Sequence, residues 1–131
     1  MTLRVFLVED NPVIRENLCE SLEELADAHA VAWAGTANEA KAWMDSHQSQ
    51  WDLAVIDLFL EQGSGLDVLM NCRERTRQQR AVVLTNYATP IIRERCLAMG
   101  ADAVFDKSDE LEEFMRFTQA DAPRKSDSAP L

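Results

Sequence analysis

Residues 53–66 read L-A-V-I-D-L-F-L-E-Q-G-S-G-L. Leu53 to Ile56 are apolar without a break, Asp57 interrupts them, and Gly63 and Gly65 punctuate the segment beyond. An unbroken apolar run of this length reads as a strand covered on both faces, not as one half-exposed to water. Gly65 then opens a helical pattern carrying Leu66, Leu69 and Met70. The stretch is thus a strand, a loop headed by a carboxylate, and a helix.

The same unit recurs in both directions from it. Strands are predicted at Leu3–Val8, Ala30–Ala34, Leu53–Asp57, Ala81–Leu84 and Ala103–Phe105, with helix-period segments after each. Asn11 with Pro12 reads as an N-cap and first turn, leading into the stripe Ile14, Leu18, Leu22 and Leu25. Thr36 and Glu39 fit a capping box ahead of Ala40, Trp43, Met44 and His47. Thr89 and Pro90 open a fourth helix with Ile92, Cys96 and Met99 inward and Gly100 as its stop. Asp109 and Glu112 are expected to cap a fifth, carrying Leu111, Phe114 and Met115. Such β-α units imply an α/β fold, a doubly wound parallel sheet with helices on both faces. The expected strand order is 2-1-3-4-5, the flavodoxin-like one.

The 131 residues suit one compact domain, and 47% hydrophobic content supplies a core. The expected division is a domain over 1–119 and a tail over 120–131, A-D-A-P-R-K-S-D-S-A-P-L, without regular structure. A net charge of −10 argues against a broad phosphate-backbone footprint, so no nucleic-acid partner is expected. Cys19, Cys72 and Cys96 form no close pair and read as buried thiols in a reducing compartment. No signal peptide or membrane-length apolar run is apparent, and the expected location is the cytoplasm.

In an open parallel sheet, ligands sit at the carboxyl ends of the strands, where the order reverses. There the sequence places Glu9 and Asp10 after the first strand, Asp57 at the third, Thr85 at the fourth, and Lys107 past the fifth. Any one of these reads as a cap or a solvated charge; together they bring three carboxylates, an ammonium and a hydroxyl to one crevice. Crowded carboxylates need a divalent cation or partial protonation. Oxygen-only donors favour Mg²⁺. An Asp carboxylate can attack phosphorus, with cation, Lys and hydroxyl sharing the charge on the transferred oxygens.

The segments F-L-V-E-D-N-P (6–12), V-I-D-L-F-L-E-Q-G-S-G-L (55–66), V-V-L-T-N-Y (82–87) and G-A-D-A-V-F-D-K-S (100–108) resemble the receiver domain of bacterial two-component response regulators. The resemblance implies that Asp57 accepts a phosphoryl group, that Asp10 binds Mg²⁺ directly and Glu9 through water, and that the Phe59 carbonyl is a further ligand. It implies that Thr85 and Lys107 hold the phosphoryl group. The expected donor is a sensor histidine kinase or histidine phosphotransfer protein. Output is expected through an unidentified protein or a homodimer on the fourth and fifth helix face, in a stand-alone receiver.

Three positions depart from the family pattern. Ser108 follows Lys107 where proline is usual, which leaves a cis bond intrinsically disfavoured. Val104 stands where an aromatic switch is common, and Phe105 should face the other way. Asn86 follows Thr85 where a small residue is usual. The main alternative is an adaptor of the same fold that works without phosphate. A dehalogenase-type phosphatase needs a second Asp where Phe59 stands. A dinucleotide site needs a third glycine after Gly63 and Gly65. A flavin site would set phosphate against Glu9 and Asp10.

Overall fold

The computed structural model describes residues 2–127, with side chains as far as Gln119. The elements are β1 (Leu3–Val8), α1 (Pro12–Leu25), β2 (Ala28–Ala34), α2 (Ala37–Ser46), β3 (Leu53–Ile56), α3 (Gly65–Asn71), β4 (Arg80–Thr85), α4 (Pro90–Ala98), β5 (Ala103–Asp106) and α5 (Leu111–Asp127). All strand pairs are parallel, and the sheet order is β2-β1-β3-β4-β5, as expected.

The apolar strands divide their side chains between two cores. Phe6, Val8, Ala54, Ile56, Val83 and Val104 pack with residues of α2, α3 and α4. Val5, Leu7, Leu53, Val55, Val82 and Leu84 pack with α1 and α5, where Phe114 is fully buried. Each of the larger side chains contributes roughly 1.5–3 kcal/mol by leaving water. On the edge strand β2, the register skips a residue between Val5↔Ala30 and Phe6↔Ala32. This bulge at Val31 transfers the strand from one core to the other: Ala28 and Ala30 face α1, whereas Ala32 and Ala34 face α2.

The caps follow the sequence in most places. Asn11 Oδ1 accepts from the amides of Val13 and Ile14, Thr36 Oγ1 from Glu39, and Thr89 Oγ1 from Ile92. Gly100 ends α4 at φ +111°, a left-handed conformation that glycine takes without strain.

Four local expectations change. Leu25 is 56% exposed, because Ala26, one helical turn beyond Leu22, takes the buried position instead. β3 ends at Ile56, so Asp57 stands just past the strand. Asp109 does not cap α5: Asp106 Oδ1 accepts from the amides of Ser108 and Asp109, which makes the turn before that helix. The backbone of α5 continues to Asp127, into the segment expected to lack regular structure. The rest of the expected tail, 128–131, lies outside the described residues.

Candidate functional site

β1, β3, β4 and β5 bring Glu9, Asp10, Asp57, Thr85 and Lys107 to the carboxyl edge of the sheet. One carboxylate oxygen from each of Glu9, Asp10 and Asp57 lies within 4.8 Å of the others. Lys107 Nζ donates to Glu9 Oε1 at 2.6 Å and to Asp57 Oδ2 at 3.2 Å. Glu9 Oε2 accepts from the Asn11 amide, and Asp10 Oδ2 from the Glu61 amide at 2.7 Å. Asp10 thereby ties the loop after β1 to the loop after β3.

Glu9, Asp57 and Thr85 are buried. Burial raises the Asp57 carboxyl above its ordinary range; the Lys107 charge opposes this, and the Glu9 charge adds to it. Burial disfavours the Lys107 ammonium, but its hydrogen bond to Glu9 and the charges of Asp57 and Glu9 outweigh that, and its pKa rises. Both groups go up: burial is the largest cause at Asp57, and at Lys107 the Glu9 and Asp57 carboxylates together outweigh burial.

The cation-binding potential follows from the donor set. Three hard carboxylate oxygens face one ammonium, so the pocket carries surplus negative charge and matches a divalent cation of the Mg²⁺ or Ca²⁺ type.

The β4 residue Thr85 is fully buried, and its Oγ1 accepts from the Tyr87 amide at 3.2 Å. Its carbonyl accepts from the Lys107 amide at 2.9 Å, which sets Lys107, just past β5, beside the end of β4. The Phe59 amide reaches Asp57 Oδ1 at 3.4 Å. Phe59 and Tyr87, 52% and 60% exposed, meet edge to face with ring centroids 5.0 Å apart. Val104 is buried among α2–α4 residues, and Phe105 faces the other core, stacked edge-on against Phe114 and Phe117. The Lys107–Ser108 peptide is trans. Asn86 is exposed.

Three supporting residues were given no role at the site from sequence. Arg15 donates to the Glu9 carbonyl at 3.1 Å, with its guanidinium 3.5 Å from the Trp33 ring centroid. Arg93 donates to the carbonyls of Ala88 and Val104 and to Glu110 Oε1, which also accepts from the Asp106 amide. Gly65 lies so close to the acceptor loop that a Cβ there would stand 2.2 Å from the Asp57 carbonyl oxygen. Only the glycine had a signal in the sequence, as a bare residue at a helix start.

Comparison with known proteins matches residues 5–118 to the response regulator receiver domain. The chain is 32% identical over 124 residues to the virulence transcriptional regulatory protein PhoP of Salmonella typhimurium, covering 95% of this chain and 54% of PhoP. It is 31% identical over 87 residues to the DNA-binding transcriptional activator DevR/DosR of Mycobacterium tuberculosis, covering 66% of this chain and 39% of that protein. Among solved structures, a LuxR-family two-component response regulator from Aurantimonas superposes with TM-score 0.80 at 25% identity, over 92% of this chain and 84% of the other. The receiver domain of DrrB activated with BeF3 superposes with TM-score 0.78 at 17% identity, over 95% of this chain and all of the other, a likeness of fold. The chain spans about half the length, or less, of these curated relatives. Because both are named as regulators of transcription, the expectation of no nucleic-acid partner is not supported. Among the described residues no helix is long and apolar enough to cross a membrane.

Proposed function

The chain belongs to the response regulator receiver domain family, and from that premise we propose that Asp57 accepts a phosphoryl group from a phosphohistidine on a sensor kinase or phosphotransfer protein. Receiver domains are signalling modules of two-component systems, not enzymes in the ordinary sense. The observation that carries the reading is the placement of buried Asp57 between the Lys107 ammonium, at 3.2 Å, and the Glu9 and Asp10 carboxylates.

An Asp57 oxygen forms the bond to phosphorus as the phosphorus–nitrogen bond of the donor breaks. The freed imidazole nitrogen takes a proton from solvent, and an acyl phosphate remains on Asp57. Glu9, Asp10, Asp57 and the Phe59 carbonyl would hold Mg²⁺. When bound, Mg²⁺ supplies positive charge to the phosphoryl oxygens. The Thr85 hydroxyl, now accepting from Tyr87, keeps its proton free to donate to a phosphoryl oxygen. Lys107 pairs with another. Burial of Asp57 limits water around the acyl phosphate and strengthens both contacts.

The test is incubation with acetyl phosphate and Mg²⁺, followed by intact-mass analysis. One added phosphoryl group is expected, lost with chelator and lost in Asp57→Ala. Equal labelling of Asp57→Ala would overturn the assignment. No mass gain in the wild type would favour the phosphate-independent adaptor, the reading that Val104 and Ser108 favour.

A further inference from the structure

An apolar groove of about 340 Å³ runs between the loop after β3 and α4. Its lining includes Leu58, Leu60, Leu66, Ile92 and Cys96, and among the described residues Arg95 is the only ionised one in it. Leu58, Leu60 and Cys96 are buried, so they form a floor rather than a mobile surface. Phe59 stands at the rim, in contact with Tyr87. Ile91, 74% exposed, shares a helix face with Arg95 four residues on. The apolar surface therefore extends out of the groove onto α4, where water contact is unfavourable.

The charge in the lining of this groove, that of Arg95, is opposite to the net charge of the chain. The net charge is −10, yet residues 73–95 carry six arginines and only two acids, Glu74 and Glu94. Three of these arginines are consumed internally, Arg80 among them through an ion pair with Asp102. Arg75 binds three carbonyls and Asp102, and Arg93 binds two carbonyls and Glu110. Arg73 and Arg95 remain exposed, with Arg73 against Gly100 at the foot of α4. An apolar trough with a cationic flank is thus presented by an otherwise acidic domain.

We infer that this groove docks an acidic amphipathic helix of a partner protein, its apolar residues seated between Leu66 and Ile92 and its carboxylates paired with Arg95 and Arg73. The volume holds about two large apolar side chains, the number one helix turn presents at i and i+3 or i+4. A basic segment would meet Arg95 with like charge. A second copy of this chain and a neutral small molecule are the rival occupants. The inference goes beyond the phosphoryl chemistry and does not depend on it, since the groove is present in the unmodified fold.

The probe is a synthetic amphipathic peptide of about 16 residues, long enough for a stable helix on docking, with Leu and Phe on one face and Glu on its flanks. Its control carries Lys on the flanks. Each is titrated into ¹⁵N-labelled protein without phosphodonor, so a failure at Asp57 leaves this result unaffected. Binding of the Glu peptide is expected, with amide shifts at residues 58–66 and 92–96. Arg95→Glu should weaken it about tenfold and improve binding of the Lys peptide. Arg95→Gln should fall between, and unchanged melting temperatures show that both variants fold. Equal binding of the two peptides to wild type, shifts elsewhere, or indifference to Arg95→Glu overturns the inference. Concentration-dependent self-association that Arg95→Glu abolishes assigns the groove to a second copy and overturns it as well.

Discussion

Lys107 lies closer to Glu9 than to Asp57: its ammonium donates to Glu9 Oε1 at 2.6 Å and to Asp57 Oδ2 at 3.2 Å. That ammonium is thus bound to a residue that the family resemblance assigns to the metal. A divalent ion entering between Glu9, Asp10 and Asp57 competes with that ammonium for the same charge.

Removing Lys107 should therefore separate metal affinity from phosphoryl transfer. Lys107→Met is expected to bind Mg²⁺ roughly tenfold more tightly, the effect of about 1.4 kcal/mol of relieved competition. It is also expected to label more slowly with acetyl phosphate. Calorimetric Mg²⁺ titration and the labelling rate read the two effects. Weaker Mg²⁺ binding in Lys107→Met would mean that Lys107 does not oppose the metal.

The raised Asp57 pKa makes metal-free stability depend on pH, and the sign is fixed. A carboxyl whose folded pKa exceeds its unfolded one, near 3.8, stabilises the fold below the unfolded pKa. That contribution is lost as pH rises through the folded pKa. Asp57→Asn has no such charge to bury. It should match the wild type in acid and exceed it by about 1 kcal/mol at neutral pH in chelator. Urea unfolding at several pH values measures the difference. A gap that narrows towards neutral pH would contradict the shift.

The Phe59–Tyr87 contact, 5.0 Å between centroids, joins the loops after β3 and β4. If these rings shield the acyl phosphate from attacking water, the phosphorylated protein is long-lived. Phe59→Asn with Tyr87→Glu should speed phosphate loss about tenfold or more, by opening the path and orienting water. The decay of the phosphorylated mass reads the rate; an unchanged decay rules out shielding.

Arg93 joins α4 to the ends of β5 and its following turn through Val104 and Glu110. Its hydrogen bond, with one from the Asp106 amide, holds the Glu110 carboxyl below its ordinary value. Stability from Glu110 is thus present above its unfolded pKa and lost as pH falls through the lower folded one. Arg93→Ala should cost about 1 kcal/mol. With beryllofluoride, amide exchange in wild type should change on both α4 and the β5–α5 turn, the proposed output face. In Arg93→Ala the two changes should no longer occur together. Protection changes confined to α1 would place output elsewhere.

Gly65 packs its bare Cα against the acceptor loop. In Gly65→Ala the new methyl would meet the Asp57 carbonyl oxygen at 2.2 Å and Leu58 Cα at 2.7 Å. Backbone must move, and the expected loss is about 1–3 kcal/mol together with slower labelling of Asp57. Thermal unfolding and the labelling rate check it; wild-type values for both would show that the loop yields freely.

Where an element was legible beforehand, the signal was local. The apolar runs from Leu3, Leu53 and Ala81 sit within observed strands, and Asn11, Thr36 and Thr89 cap the helices they precede. Each cap needs only two or three neighbouring residues to form. Misreadings arose where two local signals competed. Leu25 and Ala26 both continue the α1 stripe, and tertiary packing selected Ala26. Asp106 and Asp109 are both short acids before α5, and the turn selected Asp106. The bulge at Val31 left no mark in the apolar pattern, because the core-facing positions on both sides of it, Ala28, Ala30, Ala32 and Ala34, are all alanine.

The order of residues along the chain was enough to set the βα alternation and to bring Glu9, Asp10, Asp57, Thr85 and Lys107 to the carboxyl ends of their strands. Right-handed crossovers narrowed the sheet to a few topologies, and the packed fold has the expected one, 2-1-3-4-5. How those groups share their charge emerged only from the packed fold. Lys107 meets Glu9 across 98 positions of chain, Arg93 meets Glu110 across 17, and Phe59 finds Tyr87 from the loop after a different strand. Such contacts depend on side-chain directions set by packing, to a fraction of an ångström, and no local propensity or spacing rule carries that information.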